Sequence, residues 1–175
     1  MDNNMLDIYT DYLIYQTKYA TATGLSELLG GAISHDKVTR FLSGESFGSA
    51  ELWLYIKPLV RKIEASDGIL ILDDTVEEKP YTDENEIVAW HHDHSKNCHV
   101  KGINILSCMV KYGDVALPIS YEIVHKDVSF CEVATHKEKR KASISKNDHF
   151  CKMITRAVRN DVKFQYVLAA SHSGT

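Results

Sequence analysis

The spacing of apolar residues divides the chain into a helical front and a later part made mostly of strands. Apolar positions three and four apart predict a first helix over residues 5–19 and another over residues 49–65, in which Pro58 is a local irregularity. Two shorter apolar faces lie between them, and Gly30 and Gly31 end the first of these. The pattern therefore predicts a helical region up to residue 66.

After Gly68 the apolar residues occur in short runs bounded by turn residues, which is the pattern of buried strands. Strands are predicted in GILILDDT, HVKGINILSCMV, VALPISYEIV and FQYVLAA, and a helix is predicted around Phe150, before the last of them. Residues 112–114 predict a hairpin turn between the second and third strands. Pro118 predicts an edge position or a bulge in the third strand, because proline cannot donate a hydrogen bond to the ladder.

This order, strand, strand, strand, helix, strand, is the opening order of an RNase H-like domain. The predicted fold class is therefore α/β, with a helical N-terminal region over residues 1–66 followed by an incomplete RNase H-like domain over residues 67–175. The domain is expected to be incomplete because the sequence contains no counterpart of the helices that cover the fourth strand in that fold.

The two short helices of the front have the outline of a helix-turn-helix, since a glycine-containing turn joins them. Ser34 is a good N-cap for the second helix. In such a motif the second helix contacts DNA, and here it would present four residues: His35, Lys37, Thr39 and Arg40. A plain helical hairpin has the same pattern and stays an alternative.

Charge is distributed unevenly along the chain, although the formal net charge is only −4. Residues 1–66 carry a net charge of −2, residues 67–125 of −7 and residues 126–163 of +5. An acidic middle beside a basic segment suits a metal-binding nuclease core next to a DNA track. Solvated surface charge is the alternative explanation.

Composition places the chain among ordinary globular proteins, with 175 residues of which 44% are hydrophobic and 25% charged. The sequence has no apolar run long enough to span a membrane and no signal-peptide pattern, so a soluble, cytoplasmic protein without a membrane partner is expected. The four cysteines are widely spaced and include no C-x-x-C pair. Reduced thiols are therefore expected rather than a zinc ribbon or a disulfide framework.

Asp73 and Asp74 follow the apolar run of the first predicted strand and are the main candidates for chemistry. Carboxylate oxygens suit Mg²⁺, and paired metal ions can activate a nucleophile while stabilising the leaving oxygen of a phosphodiester. A strand that simply ends in two polar residues is the alternative.

Four segments resemble successive blocks of bacterial insertion-sequence DDE transposases of the RNase H-like kind: LILDDTVEEKP, HSKNCHVKGINIL, LPISYEIV and FQYVLA. The resemblance covers most of the chain, and the front helices correspond to the DNA-binding region that such proteins place before the nuclease domain. It implies binding of DNA at element ends and metal-dependent strand cleavage and transfer with Mg²⁺ or Mn²⁺. It leaves a homo-oligomer open.

The same resemblance implies three metal-binding carboxylates. The first falls on the Asp-Asp-Thr of the first strand, where the Asp-x-Thr pattern of the superfamily favours Asp73 and a shift of one residue makes Asp74 the ligand. The second is expected at the position of Ala170, and the helix that would bring a glutamate is absent from the sequence. The chain alone is therefore expected not to transpose DNA, because one carboxylate or one adjacent pair would hold metal weakly.

A cluster of potential zinc ligands precedes the second predicted strand: His91, His92, Asp93, His94, Cys98 and His99. Histidine and cysteine are the usual ligands of zinc, but the spacing here matches no familiar zinc motif. A polar hairpin leading into the strand is the favoured interpretation.

The sequence supports three functional hypotheses. The leading one is a truncated or degenerate transposase with a helical DNA-binding front and an incomplete nuclease core. The second is a non-catalytic DNA-binding regulator of transposition, and the third is a nonfunctional remnant. Metal-dependent cutting of element-end DNA separates the first from the other two.

Overall fold

The computed structural model describes residues 3–17, 19–44, 47–93, 96–134 and 136–169. Contacts between Cα atoms divide the chain into two compact units, Met1–Phe47 and Gly48–Thr175. In the described ranges, no helix has the length and apolar character needed to cross a membrane.

The first unit consists of three helices: α1 (Asn3–Tyr15), α2 (Ala22–Leu28) and α3 (His35–Gly44). Their apolar faces meet in a small core of Met5, Tyr12, Leu25 and Val38. The first helix was predicted to continue to residue 19 but ends at Tyr15, because the chain turns back there. The Thr21 backbone N–H then donates to the Tyr12 hydroxyl at 3.2 Å.

The connection between α2 and α3 follows the sequence prediction. Gly30 and Gly31 have φ of 60° and 80°, a left-handed conformation that ends α2 and that glycine adopts without steric cost. The Ser34 hydroxyl accepts a hydrogen bond from the Lys37 backbone N–H at 3.3 Å, which confirms Ser34 as the N-cap of α3.

The second unit begins with helix α4 (Ser49–Ile63), which continues through Pro58. Trp53 and Val60 of α4 are buried in the same core as the strands of the sheet. The compact units therefore meet between residues 47 and 48, whereas the boundary drawn from sequence, after residue 66, placed α4 in the helical region.

The remaining elements are seven strands and one helix: β1 (Ile69–Glu78), β2 (Val88–Asp93), β3 (Cys98–Tyr112), β4 (Val115–Ile123), β5 (Val128–Glu132), β6 (Lys137–Lys141), α5 (Lys146–Arg159) and β7 (Tyr166–Ala169). In the described part of the chain, five strands form one sheet, and β5 and β6 form a separate two-stranded hairpin.

Strand β1 lies inside the larger sheet, antiparallel to β3 on one side and parallel to β7 on the other. The long strand β3 pairs with β1 along one edge, while β2 and β4 share its other edge. Without the additional strands β2, β5 and β6, the order β1, β3, β4, α5, β7 is the predicted order of strand, strand, strand, helix, strand.

The main core lies between one face of this sheet and the helices α4 and α5. Leu70 and Leu72 of β1 point into it together with Met153 and Ala157 of α5, and all four are at most 2% exposed. Because side chains alternate along a strand, Ile69, Ile71, Asp73 and Thr75 point to the opposite face. That face is more open, since Asp73 and Thr75 are exposed.

Two local predictions for β3 and β4 are confirmed. Gly113, with φ of 55°, and Asp114 make the turn between the strands. The register shifts between Cys108, which is opposite Ser120, and Met109, which is opposite Pro118. The bulge predicted from the proline therefore lies beside it.

Candidate active site

Asp73 and Asp74 lie in the middle of β1, with Asp73 opposite Ser107 of β3 and Asp74 opposite Leu106. As neighbours on a strand they point to opposite faces of the sheet. Asp73 is exposed on the open face, whereas the Asp74 side chain is only 14% exposed on the helix-covered face. The two carboxylates consequently do not converge on one point, and a single ion cannot be held by both.

Asp74 is engaged by two side chains from other elements. Lys146, the first residue of α5, donates from its Nζ to Asp74 Oδ2. Asn104 of β3 donates from its Nδ2 to the same oxygen at 3.4 Å. The ammonium group of Lys146 balances the carboxylate charge, which a divalent ion would otherwise do.

His91 of β2 belongs to the same face and is 4% exposed. Burial, with smaller contributions from the positive charges of Lys126 and Lys146, lowers the pKa of His91 to about 4, while Asp74 opposes the shift. The ring is therefore neutral at physiological pH. Within the described residues, His91 Nε2 and Asn104 Oδ1 are buried atoms without a hydrogen-bond partner.

Asp73 has a different environment. Its Oδ1 accepts a hydrogen bond from the backbone N–H of Asp74 at 2.9 Å, and its carbonyl oxygen accepts one from Ser107 Oγ at 3.4 Å. Strand β7 runs beside β1 and places Ala169 opposite Leu72. Position 170, where the sequence comparison expects the second carboxylate, lies outside the described residues.

The fit of a metal ion to these residues is limited. In the part of the chain that the structure describes, no three His, Cys, Asp or Glu side chains form a group that could hold a metal ion. Strand β1 offers one aspartate to each face of the sheet, and Asp74 is already paired with Lys146. Two bridging metal ions need more carboxylates than these.

The histidine-rich segment forms the β2–β3 hairpin. His92 and His99 are cross-strand partners with ring centroids 5.2 Å apart, and Asp93 is opposite Cys98. His91 points to the other face, so the potential ligands are divided between the two sides of the sheet. His94 lies outside the described residues.

The four residues predicted to contact DNA are all exposed on α3. The side chains of three of them also make local contacts. His35 Nε2 lies 3.1 Å from Asp36 Oδ1, Thr39 Oγ1 donates to the His35 carbonyl at 2.9 Å, and Arg40 Nε donates to the Asp36 carbonyl at 3.4 Å. Lys37 points to solvent beside them.

Three residues of the site, His91, Asn104 and Lys146, were not singled out as members of it from sequence. Asn104 had a visible signal, since it is a polar residue inside the apolar run GINIL. Lys146 had none, because its contact with Asp74 depends on how α5 packs on the sheet.

A comparison with protein families decides the assignment, since the family described as DDE superfamily endonuclease matches residues 2–175. The chain belongs to the DDE superfamily of endonucleases. The predicted resemblance is thereby confirmed, as is the α/β, RNase H-like fold class. No curated protein and no solved structure matches the chain. Nucleases of the DDE superfamily generally use divalent metal ions and act on DNA, and β1 is the strand of this chain that carries the candidate carboxylates.

Proposed function

We propose that this chain is a cytoplasmic transposase-type DDE protein that binds the ends of a mobile DNA element, with Asp73 as its first metal ligand and Mg²⁺ or Mn²⁺ as the metal. One observation carries the proposal: in a chain of the DDE superfamily, the strand between β3 and β7 presents an exposed carboxylate on the open face of the sheet. That face is accessible to a substrate as large as DNA.

The choice of Asp73 over Asp74 rests on their neighbours. A divalent ion at Asp74 would have to displace the ammonium group of Lys146 and would lie close to a second cation, Lys126. Like charges at this distance repel, and the face is partly buried, which weakens screening by solvent. Asp73 faces solvent and needs no such displacement.

The proposed DNA contacts are His35, Lys37, Thr39 and Arg40 on α3. The helix is held by Val38, which is fully buried in the core of the first unit, while the four proposed residues project from its exposed sides. Lys37 and Arg40 would pair with phosphates, and His35 and Thr39 would supply polar contacts beside them.

We further propose that the 175-residue chain alone binds DNA without cutting it. Ala170 occupies the position of the second carboxylate, and each face of β1 offers one aspartate, of which Asp74 is paired with Lys146. A second candidate function, a non-catalytic regulator that occupies element ends, is favoured by one specific observation. The first unit has its own core, so α3 is supported without help from the sheet.

The test uses the full chain and labelled DNA that contains the terminal sequences of the element. Binding that weakens steeply with salt, with no cleavage in Mg²⁺ or Mn²⁺, is the expected result. Robust metal-dependent cutting by this chain would overturn the proposed inactivity. Loss of all DNA binding at low salt would overturn the assignment as a whole.

A further inference from the structure

A cavity of about 490 Å³ opens beside the β2–β3 hairpin, away from Asp74 and its partners. It is lined by one tryptophan, one histidine and five charged residues: Trp90, His99, Glu84, Lys126, Glu138, Lys139 and Arg140. Its volume lies within the range of small-ligand sites. We refer to it as the Trp90 cavity.

Trp90 is the unusual member of this lining. It lies in the middle of β2 between Ala89 and His91, which are 1% and 4% exposed, yet its own side chain is 52% exposed. Lys126 Nζ donates to the Trp90 carbonyl oxygen, so an ammonium group is fixed beside the indole. An exposed flat aromatic ring next to a fixed cation is the arrangement that accepts a stacked base and its phosphate.

The charges of the Trp90 cavity are mixed, with three cations from Lys126, Lys139 and Arg140 and two carboxylates from Glu84 and Glu138. Lys139 is paired with Glu132, which leaves Lys126 and Arg140 as the cations best placed for a phosphate. The carboxylates disfavour a bare polyanion but can accept hydrogen bonds from the amino groups of bases. The lining therefore suits a nucleotide better than an isolated phosphate.

The strand register connects this cavity with Asp73. Trp90 is opposite Lys101, and Asp73 is opposite Ser107, six residues farther along β3. Since six is an even number, both side chains project from the same, open face of the sheet. At about 3.4 Å per residue the separation along β3 is about 20 Å, the length of about six stacked nucleotides.

We propose that the Trp90 cavity binds an unpaired base of single-stranded DNA, which stacks on Trp90 while the adjoining phosphates contact Lys126 and Arg140. This inference rests on the proposed function, because it assumes that DNA lies across the open face next to Asp73. It adds a substrate feature, namely that the strand near the carboxylate is unpaired about six nucleotides away from it.

The experiment compares affinities of the full chain for a short fluorescent single strand and for its duplex. Trp90→Ala should weaken binding of the single strand about tenfold, the size of one lost stacking contact, and leave binding of the duplex nearly unchanged. Trp90→Phe should retain most of the affinity, since a smaller ring still stacks. Tyr81→Ala removes an aromatic ring that is 99% exposed and outside the cavity, and should have no effect.

A second measurement reports on the indole itself. The chain has two tryptophans, and Trp53 is buried, so quenching of fluorescence by the single strand should come from Trp90 and vanish in Trp90→Phe. Arg140→Ala should weaken single-strand binding and lower its salt slope by about one, whereas Lys57→Ala on the exposed side of α4 should not.

The outcomes separate the two proposals. Duplex binding together with no binding of the single strand, or single-strand binding that Trp90→Ala leaves unchanged, would overturn the assignment of the Trp90 cavity and leave the proposed function intact. Absence of binding to either DNA would overturn both.

Discussion

Lys146, the first residue of α5, donates a hydrogen bond to the carboxylate of Asp74 in the middle of β1. The contact joins the start of a helix to a strand that lies 72 residues earlier in the chain. It distinguishes two adjacent aspartates that look equivalent in the sequence, since one is neutralised on the covered face and the other is exposed on the open face.

The ion pair of Lys146 and Asp74 should contribute measurably to stability. Lys146→Met should lower the free energy of unfolding by about 1.5 kcal/mol, because it leaves a mostly buried carboxylate without its charged donor. Urea denaturation measures this change. Lys163→Met is the matched control, since its partner Asp161 is 74% exposed, and should cost less than about 0.5 kcal/mol. Equal effects of the two substitutions would show that the Asp74 contact is no stronger than an ordinary surface pair.

Metal binding should distinguish Asp73 from Asp74. Asp73→Asn should abolish the weak binding of Mn²⁺ that one exposed carboxylate can provide, whereas Asp74→Asn should leave it unchanged. Titration followed by the electron paramagnetic resonance signal of free Mn²⁺ measures both. The reverse pattern, in which only Asp74→Asn removes binding, would transfer the role of first ligand to Asp74.

Stability should depend on pH through His91. The folded state lowers the pKa of His91 from 6.5 to about 4, so the unfolded state binds the proton more readily between these values. Stability is therefore present above pH 6.5 and is lost as pH falls toward 4, by as much as about 3 kcal/mol. His91→Met should flatten this part of the profile in urea denaturation. His125→Gln, at an exposed position, is the control, and an unchanged slope in His91→Met would contradict the assignment.

The success of the sequence prediction differs between elements for physical reasons. Strands β1 and β3 were predicted because they are long apolar runs that fill the core. Strand β2 was not, because its sequence VAWHHD is short and half polar, and its pairing with β3 holds it in place. The hairpin of β5 and β6 was missed because its strands carry charged residues and have no alternating apolar pattern.

The candidate site shows the same division. Asp73 and Asp74 were predicted because a polar pair interrupts an apolar strand, which is a local signal. Their different environments were not, because Lys146 and Asn104 reach Asp74 through the packing of α5 and the register of β3. Local periodicity carries no information on such contacts.

DNA binding should depend on α3. Lys37→Ala and Arg40→Ala should each weaken binding of element-end duplex and lower the slope of log affinity against log salt by about one, because each removes one phosphate contact. Fluorescence anisotropy over a series of salt concentrations measures the slope. Lys57→Ala removes an exposed cation from α4 and should leave the slope unchanged. Unaltered binding in both α3 variants would exclude this helix as the DNA contact.

Restoring a carboxylate at position 170 should strengthen metal binding. Leu72 and Ala169 are register partners on β1 and β7, and position 170 is the next residue of the chain. A carboxylate that follows β7 can therefore reach an ion held at Asp73, and Ala170→Asp should raise the affinity for Mn²⁺ roughly tenfold or more, because the number of charged ligands doubles. Ala170→Asn is the matched control, since it adds an oxygen of similar position without the charge, and it should give a much smaller gain. The gain in Ala170→Asp should also disappear when Asp73→Asn is added, whereas Asp74→Asn should leave it in place. A gain that survives Asp73→Asn would mean that the two positions do not share an ion.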